Sequence, residues 1–369
     1  MGLILAGVGI ASALLVLGIS GWWRYAFIAF TIPPRKMTVE ELGLHVDGHN
    51  DVARVNHILE SFLTGFNQMI SRPRWTAWQK GANATPAMFR PFWHEGAAMG
   101  YTLRQLFRYD PAGFERDIVK PAPEFRYLYY VGLGFWSGMR NHEPQHVLKV
   151  VDGLDPLHRY LVFDGYGFKV GFFDAPKEVL AIRVLDEFPG YAQSAAYQGV
   201  GRSLYFRFMS RPQTMIQEMR KLGAHAIDAA AGVGLAVVFV NPDRLHVAQD
   251  LARRMPADWR PHFHLGMCFG LKARSINDVD EFERNVSKLP VEVRDAIGAS
   301  IRECDRVELL VRSENREDGY EEWRRRVTQW MAGAIEYPLQ RVITENKDAQ
   351  FAAPAGAAAL DMAGMEKGE

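Results

Sequence analysis

Glycine returns along this chain about every 34 residues. The spacings between successive marker glycines are 36, 33, 34, 33 and 34 residues, and each opens a short run of small residues inside an aromatic and aliphatic stretch. The marker glycines are Gly96, Gly132, Gly165, Gly199, Gly232 and Gly266. A second helix breaker lies 24 residues after the marker in five repeats, as a proline in four of them and as Gly223 in the other. A fixed period kept by two independent markers is typical of stacked helix hairpins.

Proline and its neighbours divide each repeat into two helices. Asp155 is placed to cap a first helix that begins at Pro156, where the missing amide hydrogen costs nothing, and that runs to about residue 173. A second helix over 177–187 follows, and Pro189 begins the next repeat. The sequence therefore predicts an all-α fold, a tetratricopeptide-like solenoid or superhelix of about six to seven helix hairpins.

The glycines lie inside the first helix of each hairpin, where each costs about 1 kcal/mol relative to alanine. A sequence that repeats this choice must gain something from it. One interpretation is that a strip without side chains lets the first helices of neighbouring repeats approach closely. The other is that the glycines only relieve crowding among the aromatic residues around them. Both interpretations make them packing residues.

The N-terminus has a different composition from the rest. Residues 3–19 are an uncharged apolar run of 17 residues, followed by Trp22 and Trp23. Seventeen to twenty residues in a helix cover about 26 to 30 Å, the thickness of a bilayer core, and tryptophan is common where such a helix meets the headgroups. A secretory signal peptide requires a basic stretch before its apolar run, and none precedes this one. We therefore predict an uncleaved transmembrane anchor with an interfacial segment over 1–32.

The basic residues beside this span predict its orientation, because positively charged residues collect on the cytoplasmic side. They all follow the span and are Arg24, Arg35 and Lys36. The prediction is a single-pass protein of the inner (cytoplasmic) membrane with its body in the cytoplasm. After the anchor we expect a helical N-terminal cap over 37–87, the helical-repeat array over 88–340 and a disordered tail over 346–369.

Composition limits the partners of the chain. Lys plus Arg equals Asp plus Glu, at 43 each, and a balanced charge argues against nucleic acid as the main partner. A chain of 369 residues that is 48% hydrophobic and 12% aromatic can bury a large core. Its two cysteines, Cys268 and Cys304, fall in different repeats, which excludes a disulfide framework.

Several histidines imitate metal-binding patterns. His142 and His146 flank Glu143 with the spacing of a zinc protease, but Pro144 begins the second helix of its repeat and leaves His142 in the connecting turn. Two other sets offer too few ligands on one helix face, namely His45, His49 and Asp51, and His262, His264 and Cys268. The sequence predicts no metal site. It also contains no phosphate loop and no nucleotide-binding glycine motif, so no cofactor is predicted.

Equivalent positions of successive repeats line one continuous surface, which makes position a guide to the site. Glu95, Asp164 and Gln198 each stand immediately before a marker glycine, and Arg202, one turn after Gln198, can neutralise Asp164. These side chains form either a buried ion pair that fixes the register between repeats or a proton donor to an unsaturated substrate. The predicted catalytic residues are Glu95, Asp164 and Arg202. The predicted ligand-binding residues around them are His94, Tyr130, Phe163, Tyr166, Tyr197 and Gln198.

Six blocks of sequence occur in a fixed order between about residues 88 and 326. They are EGAAM at 95–99, LDPL at 154–157, FDGYGF at 163–168, QGVGRSL at 198–204, AGVGLA at 231–236 and YEEWR at 320–324. In this order they resemble an uncharacterised domain family encoded in enediyne polyketide cassettes and labelled enediyne biosynthesis protein. The resemblance implies a role beside an iterative polyketide synthase, in converting a linear polyene into the enediyne core. It also implies protein partners from the same cassette, including a membrane protein.

Two functions are compatible with these features. The first is a membrane-anchored accessory protein that acts as a scaffold, with the concave face of its helical repeats as the interaction surface for partner proteins. The second is a binding protein or cyclase-like enzyme that holds a long apolar polyene in an aromatic groove. The expected partners are the lipid bilayer, the proteins of the cassette and an apolar polyene ligand, with no nucleic acid.

Overall fold

The computed structural model describes residues 30–71, 75–105, 110–140 and 143–333. Every regular element in these ranges is a helix, which confirms the all-α class for the described part of the chain. The apolar run at 3–19 and the tail at 346–369 lie outside the described residues.

The described α-helices are numbered in chain order. They are α1 (His49–Ser71), α2 (Trp75–Ala84), α3 (Arg90–Arg104), α4 (Pro111–Phe114), α5 (Arg126–Arg140), α6 (Pro144–Val151), α7 (Tyr160–Lys169), α8 (Tyr191–Arg207), α9 (Pro212–Arg220), α10 (Ala226–Val240), α11 (His246–Arg254), α12 (Arg260–Asn277), α13 (Val279–Val286), α14 (Val291–Ser313) and α15 (Gly319–Gly333). Short 3₁₀ segments occur at Pro34–Lys36, Pro123–Phe125, Val179–Glu187 and Gly223–His225, and π-helical turns at Glu115–Val119 and Val170–Asp174.

Seven helices form a row in which each packs along the next. In order they are α1, α3, α5, α7, α8, α10 and α12. The marker glycines lie within the last six of these helices, and α6, α9, α11 and α13 are the second helices of their hairpins. The 34-residue period thus corresponds to one step along the row.

The glycines allow the helices of this row to approach backbone to backbone. A Cβ on a marker glycine would collide with a carbonyl oxygen of the preceding helix, that of Glu95 for Gly132 and that of Asp164 for Gly199. The glycine two residues later faces the following helix, where Gly134 lies against the carbonyl oxygen of Val162. Close approach, rather than relief of crowding, is therefore the reason for the glycines.

The row curves until helices far apart along it are in contact. Phe92 on α3 packs edge to face on Phe239 of α10, with ring centroids 5.4 Å apart. Ion pairs of 2.8 Å join Arg54 of α1 to Asp243 and Arg90 of α3 to Asp278. The helices thus surround a common interior, and the structure does not confirm the open solenoid that the period predicted.

One repeat departs from the predicted hairpin. The helix expected to run to 173 is α-helical only from Tyr160–Lys169 and continues as the π-helical turn Val170–Asp174. The helix predicted over 177–187 is instead the 3₁₀ segment Val179–Glu187. Asp155 does accept bonds from the amides of Leu157 and His158, but they close a turn before α7 rather than cap a helix at Pro156.

The predicted N-terminal cap and the next repeat also begin later than expected. In the cap, helix α1 starts at His49, after Gly43 and Gly48, whose φ values of 61° and 86° end the preceding turns. Helix α8 starts at Tyr191 rather than Pro189, because Gly190 has a φ of 53° that no α-helix accommodates.

Membrane-spanning potential within the described residues is limited to one segment. Gly223–Val240 has the length and hydropathy to cross a bilayer, but 67% of it is buried inside the protein. It contains α10, a central member of the row, so its apolar character is explained by packing on both neighbours. The predicted anchor within 1–32 falls almost entirely outside the described residues.

Candidate functional site

The interior enclosed by the row is lined by four helix positions, counted from the marker glycine. They are the residues four and one before it and three and seven after it, which share one helix face. Side chains at these positions that line the interior are Phe92, Glu95, Leu128, Val131, Phe135, Leu161, Asp164, Phe168, Phe172, Arg202, Phe206, Leu235, Phe239, Phe269 and Ala273. Most are aromatic or aliphatic, and the three charged ones are Glu95, Asp164 and Arg202.

Arg202 joins two carboxyl groups at the centre of this interior. Its Nη1 donates to Asp164 on α7, and its Nη2 lies 3.5 Å from Oε1 of Glu95 on α3. Gln198, one turn earlier on α8, donates from Nε2 to the other oxygen of Asp164 at 2.7 Å. All four side chains are buried. The sequence-predicted residues Glu95, Asp164, Arg202 and Gln198 are thus brought together, and we refer to them as the interior cluster.

The charges of the interior cluster do not balance if both carboxyl groups are ionised. One guanidinium faces two carboxyl groups, and its closer partner is Asp164. Burial raises the pKa of the Glu95 carboxyl, as does the nearby Asp164, while Arg202 opposes the rise. A neutral Glu95 makes the cluster neutral as a whole, and a neutral cluster has the lowest free-energy cost of burial. Burial therefore favours the neutral form of the Glu95 carboxyl group beside the pair formed by Asp164 and Arg202.

Two small apolar cavities adjoin the interior cluster, each about 50 Å³ in volume. Glu95 lines one of them together with phenylalanines from α3, α5, α7, α8 and the π-helical turn. Asp164 lines the other, which Tyr320 and Trp323 of α15 close. Arg202 lines both cavities, and its guanidinium lies over the ring of Phe168 at 5.1 Å from the centroid. A carboxylic acid and a fixed cation thus face surfaces that are otherwise aromatic.

Five of the six predicted ligand-binding residues lie away from these cavities. His94 stacks on Phe125 at 3.7 Å between ring centroids and contacts the hydroxyl of Tyr129 at 2.7 Å. Burial, with a smaller effect of Arg90, lowers the pKa of His94 to about 3, so it is a neutral packing residue.

The tyrosines and the phenylalanine that were predicted to bind ligand also lie outside the linings of the two cavities. Tyr130 donates its hydroxyl to Glu115. Phe163 and Tyr166 both pack edge to face on Phe188, with centroids 4.9 and 5.2 Å away. Tyr197 stacks on His225 and lines a groove on the outer side of α8.

The helical turn angle explains this division. Successive residues of an α-helix are about 100° apart, so a residue next to an interior position faces another direction. Glu95, Asp164 and Gln198 precede their glycines by one residue, whereas His94, Phe163 and Tyr197 precede them by two. Sequence reasoning missed the phenylalanines three and seven residues after the glycine, which the same helical periodicity locates on the interior face.

The described residues contain no group of three His, Cys, Asp or Glu side chains arranged to hold a metal ion. Cys268 and Cys304 are both buried, and no disulfide joins them.

Comparison with known proteins identifies a family but no activity. The sequence profile of the family described as "Protein of unknown function (DUF1702)" matches residues 23–331. No curated protein and no solved structure matches the chain.

Proposed function

The chain belongs to the family of proteins of unknown function DUF1702, and we propose that it binds an apolar unsaturated chain against Glu95. The substrate class is a polyene, and the process is maturation of a polyene-type or enediyne-type polyketide. The enediyne assignment is supported by the ordered sequence blocks alone. The binding role is supported by the aromatic cavities that meet at the interior cluster.

One observation carries the proposal: a buried carboxyl group with a raised pKa lines an aromatic cavity. Such a group can donate its proton to a carbon–carbon double bond, forming a C–H bond and leaving a carboxylate. The faces of Phe135 and Phe168 stabilise the resulting carbocation by cation–π attraction. Glu95 then takes a proton from a carbon next to the cation, and the electron pair of that C–H bond forms a new double bond, which leaves an isomerised chain. If a second double bond of the chain first attacks the cation to form a C–C bond, the product is cyclised. Asp164 and Arg202 hold the acid in place and set its charge.

The small volume of the two cavities limits which ligands can enter without movement of the protein. About 50 Å³ each is room for a short segment of a chain only, since a cavity of about 150 Å³ is needed for one benzene ring. We therefore expect a long polyene to displace Tyr320 and Trp323, which close one cavity from α15.

Replacing the acid tests the proposal. The Glu95→Gln variant is expected to retain apolar ligand, detected by mass spectrometry of the denatured full-length protein, but to lose polyene conversion by about 100-fold or more. Glu281→Gln is the matched control, because Glu281 is a buried carboxylate on α13 that accepts a bond from Asn285 and lines neither cavity. Unchanged conversion by Glu95→Gln, or the absence of apolar ligand from the wild-type protein, would contradict the proposal.

The raised pKa of Glu95 also predicts a pH dependence of stability that needs no substrate. Its folded-state pKa lies above the ordinary value of 4.5, so the folded state binds the proton more tightly than the unfolded chain. The free energy of unfolding should therefore fall as pH rises from about 4.5 through the folded-state pKa. The difference between wild type and Glu95→Gln, measured by chemical denaturation between pH 4 and 8, isolates this effect. The variant should gain stability relative to the wild type as pH rises, and a constant difference would show that the pKa of Glu95 is not raised in the folded protein.

A scaffold role for partner proteins is the second candidate. In this proposal the helix pairs form a superhelix of about six to seven hairpins that is tethered to the inner membrane by the N-terminal segment. Docking would use the outer surface, since the residues of the inner face are buried. The favouring observation is Leu309 on α14, which is 70% exposed, with the exposed Leu310 beside it. Loss of a cassette partner in pull-downs with Leu309→Glu, but not with Glu95→Gln, would support this role.

A further inference from the structure

A wide groove lies on the outer side of α8, on the opposite face from the interior cluster. Its volume is about 840 Å³, within the usual range for small-molecule sites. The groove lies between the 3₁₀ segment Val179–Glu187, which replaces the second helix of this repeat, and helices α8 and α9. We refer to it as the outer groove.

The floor and one wall of the outer groove are apolar. The floor is formed on α8 and just after it by Val200, Leu204 and Phe208, and the 3₁₀ segment contributes Leu180 and Ile182. Leu180 is 56% exposed, which is unusual for a leucine in a protein whose other leucines are mostly buried. An apolar chain lying in the groove would cover it.

The charged groups of the outer groove include two arginines that form no ion pair in the described part of the chain, although Glu218 acts on Arg207 electrostatically and favours its charged form. Of the two carboxylates of the groove, Asp186 accepts the hydroxyl of Tyr197 at 2.6 Å, and Glu218 pairs with Lys221 at 2.6 Å. Arg183 and Arg207 have no ion-pair partner in the described part of the chain.

Arg207 is the better placed of these two arginines, because its side chain is half-buried. Its guanidinium donates to the carbonyl of Gly171 at 3.3 Å and lies over the ring of Phe208 at 5.0 Å from the centroid. A guanidinium has five N–H donors, so most of them are unused here. A half-buried guanidinium beside an apolar surface suits a ligand that combines a carboxylate with an apolar chain.

We propose that the outer groove binds a long-chain carboxylate, with the apolar chain along Leu180 and Ile182 and the carboxylate on Arg207. This site is separate from the Glu95 cavities, and its existence does not depend on catalysis there. Binding would place a fatty-acyl-like chain on one side of α8 while the interior cluster occupies the other.

Photolabelling of the full-length protein tests this site. The probe is a palmitate analogue that carries a diazirine, and the labelled peptides are identified by mass spectrometry. We expect label on the segments that contain Leu180 and Leu204, competed by unlabelled palmitate. The methyl ester of the same probe should label about tenfold less, the difference expected for losing a charge-assisted hydrogen bond. Glu95→Gln should label as the wild type does, so failure here and failure of the proposed acid are distinguishable.

Two variants identify the head-group contact. Arg207→Gln should weaken labelling by the acid about tenfold and leave labelling by the ester unchanged. Arg211→Gln is the matched control, since Arg211 is an exposed arginine four residues later that does not line the groove.

Two substitutions of opposite charge at Leu180 separate an effect on ligand binding from an effect on folding. Leu180 is exposed, so Leu180→Glu and Leu180→Lys should both fold; the first should weaken labelling by the acid and the second should not. Equal labelling by acid and ester, label confined to other segments, or no competition by palmitate would each overturn the proposal.

Discussion

Gly134→Ala should prevent stable folding or lower the thermal unfolding midpoint more than any exposed substitution in this protein. The added Cβ would collide with the carbonyl oxygen of Val162 on α7, and no side-chain rotation can relieve a clash between two backbones. Helices α5 and α7 would have to separate, which would open the interior next to Asp164. Overpacking of a core typically costs about 1 to 3 kcal/mol, and rigid backbone contacts belong at or above the upper end.

Gly298→Ala is the matched control for this substitution. Gly298 lies inside α14, and a Cβ there would lie 3.0 Å from Nη1 of Arg302, the far end of a flexible side chain. The alanine should be neutral or stabilise the protein by up to about 1 kcal/mol, through helix propensity alone. If both variants unfold at the same temperature, measured by circular dichroism, the close approach of α5 and α7 is not as described.

Arg202→Met should have the second largest effect. The substitution keeps much of the side-chain volume but leaves Glu95 and Asp164 buried without their shared cation. Removing one partner of a buried ion pair costs about 3 to 5 kcal/mol, because the remaining charge is uncompensated. We expect this loss in chemical denaturation at neutral pH. The loss should be smaller near pH 5, since Arg202 lowers the pKa of Glu95 and this carboxyl group takes up a proton more readily once the cation is removed.

Two companion variants separate the ion pair from general damage to the interior. Combining Arg202→Met with Asp164→Asn removes a buried charge of each sign and should recover part of the lost stability. Arg316→Met breaks the exposed pair with Asp318, whose side chains are 40% and 48% exposed, and should cost less than about 1 kcal/mol. An Arg202→Met variant as stable as Arg316→Met would mean that the interior cluster is hydrated and accessible.

The period of the glycines was sufficient to predict the helical row, and it left the close approach of its members as one of two interpretations, which the structure decides. It could not predict how strongly the row curves, because curvature depends on side chains far apart in sequence. Phe92 meets Phe239 and Arg54 meets Asp243 only in the assembled fold. Local sequence also failed at 177–187, where the residues suit an α-helix but the π-helical turn at Val170–Asp174 changes the direction of the chain before them.

The interior cluster was predictable because repeat position and residue type agreed for Glu95, Asp164 and Arg202. The aromatic residues around it were assigned to the wrong helix face, since His94 and Phe163 are only one position from the interior residues Glu95 and Asp164. The outer groove had no sequence signal, because it results from the 3₁₀ segment that replaced a predicted helix.

The contacts that join α1 and α3 to the loops after α10 and α12 have a consequence for how this protein comes apart. An open array of repeats can fray from either end and can lose or gain a unit during evolution, because each unit touches only its neighbours. Here two ion pairs, Arg54–Asp243 and Arg90–Asp278, join the first helices of the row to the loops after its last helices. Deleting one repeat would separate the partners of both ion pairs. We therefore expect the number of repeats to be fixed and thermal unfolding to be a single cooperative transition.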